Sequence, residues 1–385
     1  MATRVVLIHN FLAPFRIPLF EELARRFDLE VWILGDVGVI REWNLDPNAM
    51  NFCCRRIPGA TLGVGSRYNA LLLNYSLPLE LAKSDAEVVI CCGWDSPAAF
   101  YCGLWARCSN RPFIVWSGST AVETSRLRTW TAPIVRWLVR SADAWISDGT
   151  RAAEYLASLG ADPERTFPAF NAVDNAFYAS ASRMDADERN EARLRFGVGN
   201  GPLVLYVGNL LALKGVFELV EAFAKFAEQH ADARLLVVGE GEDGPAMRER
   251  LERLGVSERV VFTGFADANT IATCFGMADL FVLASRQEIW GMVINEALAS
   301  GVPVLATDVC GAAADLIEDG INGYRVPSRN PDALAEAMLR HFNAPETHQQ
   351  MRIAARDRVA TFTFAAAADA FERCVKTLVL SDSDW

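Results

Sequence analysis

A strand pattern is joined to a helix pattern by a glycine turn in Phe281-Val282-Leu283-Ala284-Ser285-Arg286-Gln287-Glu288-Ile289-Trp290-Gly291-Met292-Val293-Ile294-Asn295-Glu296. Residues 281–284 are a short apolar run typical of a buried strand, and apolar residues recur at helical spacing from residue 293. A helix therefore begins near Gly291, where free backbone N–H groups would face an anion. Glu288 precedes the turn and Glu296 lies about one turn into the helix, so both can border one crevice that holds a phosphorylated sugar. Acidic residues also favour a first helical turn by themselves, which leaves two solvated charges as the alternative.

The same pattern recurs along the C-terminal half. Apolar runs lead into glycine turns at 203–208, 234–239 and 260–264, and another run lies at 302–306. Between these runs lie segments whose apolar residues recur at helical spacing. Alternating strands and helices favour a parallel sheet covered on both faces. Ligands of such sheets bind beyond the carboxyl ends of the strands, where the glycine turns lie.

The N-terminal half has its own series. Apolar runs at 5–8, 88–91, 113–116 and 144–147 each end in a polar turn, and a helix pattern follows the first. This series predicts a second doubly wound domain. The chain of 385 residues, 51% hydrophobic, is long enough for two such domains.

The C-terminal series resembles the donor-binding domain of the retaining glycosyltransferases of family 4. The resemblance is carried by Val207-Gly208 to Lys214-Gly215, Val238-Gly239-Glu240-Gly241, Thr263-Gly264-Phe265, Glu288-x7-Glu296, Ala297 to Val304, and Asn322-Gly323. It implies an α/β protein of the GT-B fold, in which two doubly wound Rossmann-like domains face a central cleft. We expect an acceptor-binding domain at 1–175 and a donor-binding domain at 176–361, joined by a linker at 168–174. The last helix, at about 362–380, is expected to pack on the first domain.

The resemblance also assigns roles within the donor-binding domain. Lys214 matches the basic residue on the donor diphosphate, Glu296 the carboxylate that binds the ribose, and Glu288 the carboxylate beside the transferred sugar. Lys214 and Glu288 are therefore catalytic candidates. The other donor-binding candidates are Gly208, Asn209, Gly239, Gly264, Phe265, Gly291, Met292 and Val293.

One position departs from the family. Asn209 stands where the family usually has an Arg that forms a basic pair with the Lys. Asn brings no charge to a leaving diphosphate, so transition-state stabilisation would be weaker or supplied elsewhere. Arg286 is the candidate replacement, with a solvated loop Arg as the alternative.

The acceptor side is less specific in sequence. Many family members carry a His at a strand end, but the corresponding turn here reads Ser117-Gly118-Ser119. His9, after the first strand, is the catalytic candidate, with a structural His as the alternative. Asn10, Asp95, Ser117 and Glu123 are further candidates for contacting acceptor or sugar hydroxyls.

These assignments predict a hexosyltransferase that moves a sugar from a nucleotide diphosphate to an acceptor hydroxyl, with retention implied by the family. The donor is expected to be a nucleotide sugar, with a UDP-sugar favoured and a GDP-sugar as the alternative. The acceptor is expected to be a glycan, a lipid-linked glycan or a small molecule, which suggests glycan or polysaccharide biosynthesis. A hydrolase or epimerase on the same fold, or an inactive scaffold that keeps it, stays open. No cofactor is implied, and no metal either, because Lys214 and helix N-termini can neutralise the diphosphate. The two Asp-x-Asp sequences, at 185–187 and 382–384, lie in a charged segment and in the tail rather than at a strand end, and are interpreted as solvated charges.

The net charge of the chain limits the kinds of molecule it is expected to bind. The net charge of −11 argues against nucleic acid, and the first 175 residues carry only −1 of it. Residues 126–140 mix Arg, Trp and aliphatics at helical spacing, which suits a helix at a membrane surface or an ordinary helix with Ile134, Trp137 and Leu138 in the core. We find no signal peptide or membrane-spanning run, and nine Cys without zinc spacing suit a reducing compartment. The prediction is a cytoplasmic protein, with peripheral membrane contact left open.

Overall fold

The computed structural model describes residues 2–35, 50–63, 70–94, 96–123 and 126–381. The chain divides into two compact units. Unit 1 comprises Met1–Asn171 together with Phe364–Trp385, and unit 2 comprises Ala172–Thr363. The division at residue 171 lies within the predicted linker, and the C-terminal segment belongs with unit 1.

Strands and helices alternate along most of the described chain. The strands are β1 (Arg4–His9), β2 (Asp28–Ile33), β3 (Cys53–Arg56), β4 (Ala60–Gly63), β5 (Ala70–Leu73), β6 (Val88–Cys92), β7 (Phe113–Ser117), β8 (Ala144–Ser147), β9 (Thr166–Pro168), β10 (Leu203–Val207), β11 (Arg234–Val238), β12 (Val260–Gly264), β13 (Leu280–Leu283), β14 (Val304–Thr307) and β15 (Gly323–Val326). The helices are α1 (Ile17–Ala24), α2 (Leu77–Lys83), α3 (Ala98–Ser109), α4 (Arg126–Ser141), α5 (Thr150–Leu159), α6 (Asn175–Ala181), α7 (Ala186–Phe196), α8 (Val216–Gln229), α9 (Gly244–Arg253), α10 (Ala268–Met277), α11 (Met292–Ala299), α12 (Gly311–Leu316), α13 (Pro331–Phe342), α14 (His348–Val359) and α15 (Phe364–Ser381).

Unit 1 is built on a seven-stranded sheet in the order β3-β2-β1-β6-β7-β8-β9, whose neighbours all pair in parallel. The chain order reverses between β1 and β6, which makes that junction the switch point of the sheet. Separate apolar clusters cover its two faces. Helix α15 contributes to one of them, and its Phe371 ring lies edge-on to Trp116 with ring centres 5.0 Å apart. The short hairpin of β4 and β5 is antiparallel.

Unit 2 is built on a six-stranded sheet in the order β12-β11-β10-β13-β14-β15, again with every neighbour parallel. All five residues of β10 and all four of β13 are buried, as expected for strands covered by helices on both faces. The order reverses between β10 and β13, so these two adjacent strands end at the switch point. Two doubly wound parallel sheets confirm the predicted α/β fold class.

Candidate active site

Two sequence-distant residues meet at the switch point of unit 2. Lys214 lies in the turn after β10, and Glu288 lies in the loop after β13. Because β10 and β13 pair side by side, with Leu205 opposite Phe281, the two turns emerge next to each other. The N–H of Arg286 donates to the carbonyl oxygen of Leu213 at 2.9 Å and ties the turns together.

Gly215 allows this close approach. Its backbone φ is +70°, and a Cβ there would overlap the carbonyl oxygen of Ala284 at the end of β13. Only glycine satisfies both conditions without displacing the backbone. The glycine after Lys214 therefore sets how near the turn lies to the Glu288 loop.

Lys214 and Glu288 form an ion pair. The Lys214 ammonium Nζ donates to Glu288 Oε2 at 2.6 Å, and the side chains are 26% and 15% exposed. The Ser285 hydroxyl lies 3.5 Å from the same carboxylate oxygen. A partly buried cation and anion at a strand-end crevice can respectively neutralise a phosphate and contact a sugar hydroxyl.

The turns that follow β10 and β11 are packed backbone to backbone. The Gly208 N–H donates to the Val238 carbonyl at 2.9 Å, and the Gly239 N–H donates to the Gly264 carbonyl at 2.8 Å. Gly239 has φ of +129°, and a Cβ there would overlap the Gly208 carbonyl oxygen. Three of the predicted donor-binding glycines, Gly208, Gly239 and Gly264, thus lie at adjacent strand ends.

Helix α11 begins where the sequence predicted. Gly291 precedes it with φ of +92°, and the Ile294 N–H donates to the Gly291 carbonyl at 2.8 Å. The first N–H groups of a helix have no intrahelical acceptor, so Met292 and Val293 present donors to the crevice. The buried Trp290 donates its indole N–H to Asn295 Oδ1 at 2.9 Å and anchors the loop before the helix.

Glu296 lies on α11 against Tyr178 of α6. Burial raises the pKa of Glu296 to about 7, and the Tyr178 hydroxyl, which donates a hydrogen bond to the carboxylate, partly offsets that rise. Burial and the nearby Glu296 charge likewise raise the pKa of Tyr178. Tyr178 is a site residue that the sequence reasoning missed, because nothing in the sequence signals the packing of α6 on α11.

Asn209 replaces the family's second basic residue, and Arg286 is the candidate to supply that charge instead. The Asn209 carbonyl accepts the Tyr206 hydroxyl at 2.8 Å, and its side chain has no hydrogen bond within the described part of the chain. Arg286 Nε donates to Oε1 of the buried Glu218 at 2.7 Å. Arg286 is therefore held in a structural ion pair, rather than being solvated as its alternative reading had it.

Phe265 is the most prominent apolar side chain of this sheet edge. It follows β12 directly and is 83% exposed. Its N–H lies 3.4 Å from Glu240 Oε1 of the neighbouring turn. An exposed ring beside glycine turns is suited to stacking on a flat ligand group.

His9 ends β1 at the switch point of unit 1. Its Nδ1 lies 2.8 Å from the Phe11 carbonyl oxygen, so Nδ1 carries the proton and Nε2 is an acceptor. Nε2 is buried and has no hydrogen-bond partner among the described residues. Burial and the Arg16 charge lower the pKa of His9 to about 3, which keeps the ring neutral.

A polar network lies beside His9 in unit 1. Asp148, just after β8, accepts the Trp116 indole N–H at 2.6 Å and hydrogen bonds from Arg16 at 3.2 Å and Asn171 at 3.1 Å. Arg16 also donates to Asn171 Oδ1 at 2.6 Å, and its guanidinium lies 4.6 Å from the Trp116 ring centre. The sequence reasoning missed this network, although Asp148 follows a predicted strand, because Arg16 lies 132 residues from Asp148 and 155 residues from Asn171 in the sequence.

Three of the remaining acceptor-side candidates, Asn10, Ser117 and Glu123, each make their own local contacts. The Asn10 carbonyl accepts the Gly35 N–H at 2.8 Å, and the buried Ser117 hydroxyl accepts the Ser119 N–H at 3.1 Å. Glu123 pairs with Arg128 at 2.9 Å and accepts the Thr120 N–H at 3.0 Å. Asp95 lies outside the described residues.

Two features bear on metals and membranes. Among the described residues, no group of three or more His, Cys, Asp or Glu side chains could hold a metal ion. Asp185 caps α7 through the N–H groups of Asp187 and Glu188, while the second Asp-x-Asp, at 382–384, lies outside the described residues.

No helix in the described ranges is long and apolar enough to span a bilayer.

Comparisons with known proteins identify the family of the chain. Residues 188–358 match the family described as glycosyl transferases group 1. An alpha-D-kanosaminyltransferase of Streptomyces kanamyceticus is 32% identical over 296 residues, covering 74% of this chain and 75% of that protein. A D-inositol 3-phosphate glycosyltransferase of Jonesia denitrificans is 29% identical over 236 residues, covering 59% of this chain and 55% of that protein.

A solved structure shares the fold. Anabaena Alr3699/HepE in complex with UDP superposes with a TM-score of 0.79 at 17% identity, over 98% of this chain and 100% of that one. The fold match extends over both units, whereas the family match lies within unit 2. The chain belongs to the group 1 glycosyltransferases, which confirms the predicted family 4 kinship and GT-B fold.

Proposed function

We propose that the protein transfers a hexosyl group from a UDP-sugar to an acceptor hydroxyl with retention of anomeric configuration. Membership of the family establishes sugar transfer from a nucleotide donor. The observation that supports our site assignment is the Lys214–Glu288 ion pair beside the start of α11, with Glu296 on the same helix. The UDP-bound HepE structure favours UDP over GDP as the donor nucleotide.

In this proposal, unit 2 binds the donor. Glu296 accepts hydrogen bonds from the ribose hydroxyls, and the N–H groups at the start of α11 contact the diphosphate. When the bond between the sugar carbon and the diphosphate oxygen breaks, negative charge builds up on the leaving group, and Lys214 stabilises it. Glu288 orients the transferred sugar through its hydroxyls. Phe265 stacks on the nucleotide base.

Unit 1 binds the acceptor in the same proposal. His9 stays neutral, and its Nε2 accepts a hydrogen bond from the acceptor hydroxyl. Because its pKa is low, His9 positions the hydroxyl rather than acting as a general base. The Arg16–Asp148–Asn171 network holds the neighbouring strand ends rigid. The acceptor class stays open among a glycan, a lipid-linked glycan and a small molecule.

Calorimetric titration with UDP and GDP, followed by turnover with UDP-hexoses, tests this function. We expect UDP to bind at least about tenfold tighter than GDP, with Lys214→Ala weakening UDP and Glu258→Gln, an exposed control, leaving it unchanged. Product NMR reports the anomeric configuration. Turnover with water alone would favour the hydrolase, a changed sugar on the released nucleotide the epimerase, and tight binding without turnover the scaffold.

We also propose that α4 of unit 1 rests on an anionic membrane surface. Trp130 is 84% exposed and Ile134 61% exposed, whereas Leu138 is buried in the core of unit 1. The helix carries four arginines and no acidic residue, which complements anionic lipid headgroups. Exposed Phe100 of the adjacent α3 continues the apolar face, with its ring centre 5.3 Å from that of Trp137.

Co-sedimentation with phosphatidylglycerol and phosphatidylcholine vesicles tests the membrane contact. We expect binding to the anionic vesicles only, weakened by salt and by Trp130→Ser with Ile134→Ser. Leu194→Ser, which changes an exposed leucine of unit 2, is the matched control. Equal sedimentation of all variants, or a dimer that the double variant dissociates, would overturn the proposal.

A further inference from the structure

A second cavity lies at the other edge of the unit 2 sheet. It opens beside Asp279 and Pro303, the residues immediately before β13 and β14. The strands are parallel, so their amino ends lie at the sheet edge opposite the carboxyl ends that carry Lys214 and Glu288. Its volume of about 420 Å³ falls within the range of small-molecule sites.

The charge of the lining is one-sided. Its charged and titratable residues within the described chain are Arg183, Arg189, Arg352, Arg356, His348 and Asp279. Four guanidinium groups thus face one carboxylate, a surplus of three positive charges with the histidine neutral. This contrasts with unit 2 as a whole, because its residues, 172–363, hold 18 Lys+Arg and 27 Asp+Glu and so carry most of the net negative charge of the chain.

The single carboxylate, that of Asp279, already accepts three hydrogen bonds within the protein. Asp279 accepts Arg189 at 2.6 Å and Arg193 at 2.8 Å, and the Leu203 N–H donates to it at 2.9 Å. Although burial opposes its ionisation, Arg193 and Arg189 hold the pKa of Asp279 below its usual value. This cluster fastens α7 to the start of β13. It accounts structurally for Arg189, one of the four arginines that line the cavity, and for Arg193, which does not line it.

The other three arginines have no carboxylate partner among the described residues. Arg352 donates to the Ala278 carbonyl at 3.2 Å, and Arg356 donates to the Ser300 carbonyl at 3.3 Å. Arg183 is exposed and makes no side-chain hydrogen bond within the described chain. A carbonyl satisfies one N–H of a guanidinium but does not neutralise its charge, so donors and charge are left over.

These cations are crowded together. Burial and the Arg189 charge lower the pKa of Arg352 to about 10, Arg356 and Arg193 add to the repulsion, and the Asp279 charge offsets part of it. Like charges held together in a partly buried site destabilise each other unless an anion lies between them.

We propose that this cavity is a second ligand site, which binds a phosphate-bearing small molecule away from the donor site. Guanidinium groups bind phosphate oxygens through paired, parallel hydrogen bonds. A phosphate monoester carries about two negative charges and matches the surplus better than a single carboxylate does. The remaining volume admits an organic group as large as a monosaccharide, and Gln349 supplies an uncharged donor and acceptor for it.

The site contacts the donor-site helix. Ser300, whose carbonyl accepts Arg356, ends α11, and a Cβ on the following Gly301 would lie 2.6 Å from the Arg356 guanidinium carbon. A phosphate that engages Arg356 therefore competes with the last carbonyls of the helix that carries Glu296.

Thermal-shift titration tests the proposal with two probes, inorganic phosphate and glucose 6-phosphate, on the full chain. We expect a saturable rise in Tm with wild type and with Lys214→Ala, in which the donor-site cation is absent. Arg352→Gln should weaken binding about tenfold, as expected for losing a charged hydrogen bond. Arg356→Gln, which changes an exposed side chain, should weaken it too and serves if Arg352→Gln does not fold. Arg253→Gln, an exposed arginine outside the cavity, is the matched control and should bind as wild type does.

The outcomes separate the two sites. Tighter binding of glucose 6-phosphate supports a phosphate ester as the ligand, and equal binding supports phosphate itself. A shift that vanishes in Lys214→Ala while the Arg352 and Arg356 variants keep it places the phosphate in the donor site and overturns the proposal. Absence of any saturable shift with wild type overturns it as well, and neither result bears on sugar transfer.

Discussion

Replacing Glu288 by glutamine should lower turnover without weakening nucleotide affinity. The side chain keeps its shape and loses its charge, so Lys214, now 2.6 Å from a carboxylate oxygen, would face a neutral amide oxygen. Hydrogen bonds that involve a charged group contribute about 1.5–3 kcal/mol, and we expect the Lys214–carboxylate pair to lie near the upper end of that range and a Lys214–amide bond near the lower end. The difference, about 1 kcal/mol, is the attraction that Lys214 gives up when it turns toward a diphosphate.

Two magnitudes follow from this geometry. UDP should bind Glu288→Gln about as tightly as wild type or up to about fivefold tighter, because 1.4 kcal/mol corresponds to a tenfold change in affinity. Turnover should fall by about 10²–10³-fold, the usual effect of removing one group that stabilises a transition state. An interaction that strengthens only in the transition state lowers the rate without equal loss of ground-state binding.

Calorimetry with UDP and initial rates with the UDP-sugar, on the same preparation, provide the measurement. Glu258→Gln makes the same chemical change on an exposed glutamate at the opposite sheet edge and should match wild type in both assays. Equal losses of turnover and UDP affinity would place Glu288 in the nucleotide site or in structural support. Full activity would make it a solvated charge, and the site assignment would be wrong.

Glu296→Ala should weaken UDP binding by about 1.5–3 kcal/mol, the contribution of a charged hydrogen bond, and an unchanged dissociation constant would remove this residue from the site. Since only ionised Glu296 accepts two ribose hydroxyls and its pKa in the free protein is about 7, UDP affinity should fall by up to about tenfold per pH unit below pH 7. Tyr178→Phe removes a hydrogen bond that lowers this pKa, so the midpoint of the pH profile should move upward, and an unmoved midpoint would contradict the pairing. Asn209→Arg should tighten UDP binding by adding a charge-assisted contact, and no gain would mean that this position is not beside the diphosphate. Gly215→Ala should destabilise the fold by more than about 2 kcal/mol in chemical denaturation, while Gly197→Ala, equally left-handed but in open space, should lose about 1 kcal/mol, and equal losses would refute the overlap argument.

The sequence predicted most of the continuously apolar strands, including β12 at the edge of the unit 2 sheet, but it missed β2 and β3 of unit 1. The runs at 203–207 and 144–147 match β10 and β8 residue for residue, because strands covered on both faces are continuously apolar. Strand β3, at the edge of the unit 1 sheet, reads Cys-Cys-Arg-Arg and has no such signal. The paired strands β4 and β5 were missed as well. Short strands depend on their neighbours more than on their own composition.

Some contacts of the candidate site could likewise be predicted from the sequence, and others could not. The meeting of Lys214 and Glu288 could be anticipated, because strand ends of a doubly wound sheet converge at its switch point. The Tyr178 contact with Glu296 could not, since it depends on how two helices pack. The Arg286 pairing with Glu218 was equally invisible, because a residue's partner across 68 positions leaves no local pattern.

The tightly packed glycine turns limit how this active site can diverge. Gly215 and Gly239 have no space for a side chain, so substitutions there shift the backbone that carries the ion pair. Asn209 and the exposed Phe265 lie at the same sheet edge, and their side chains can change without this overlap. A mutant library aimed at a new sugar nucleotide should therefore leave the glycines untouched and vary these two positions first.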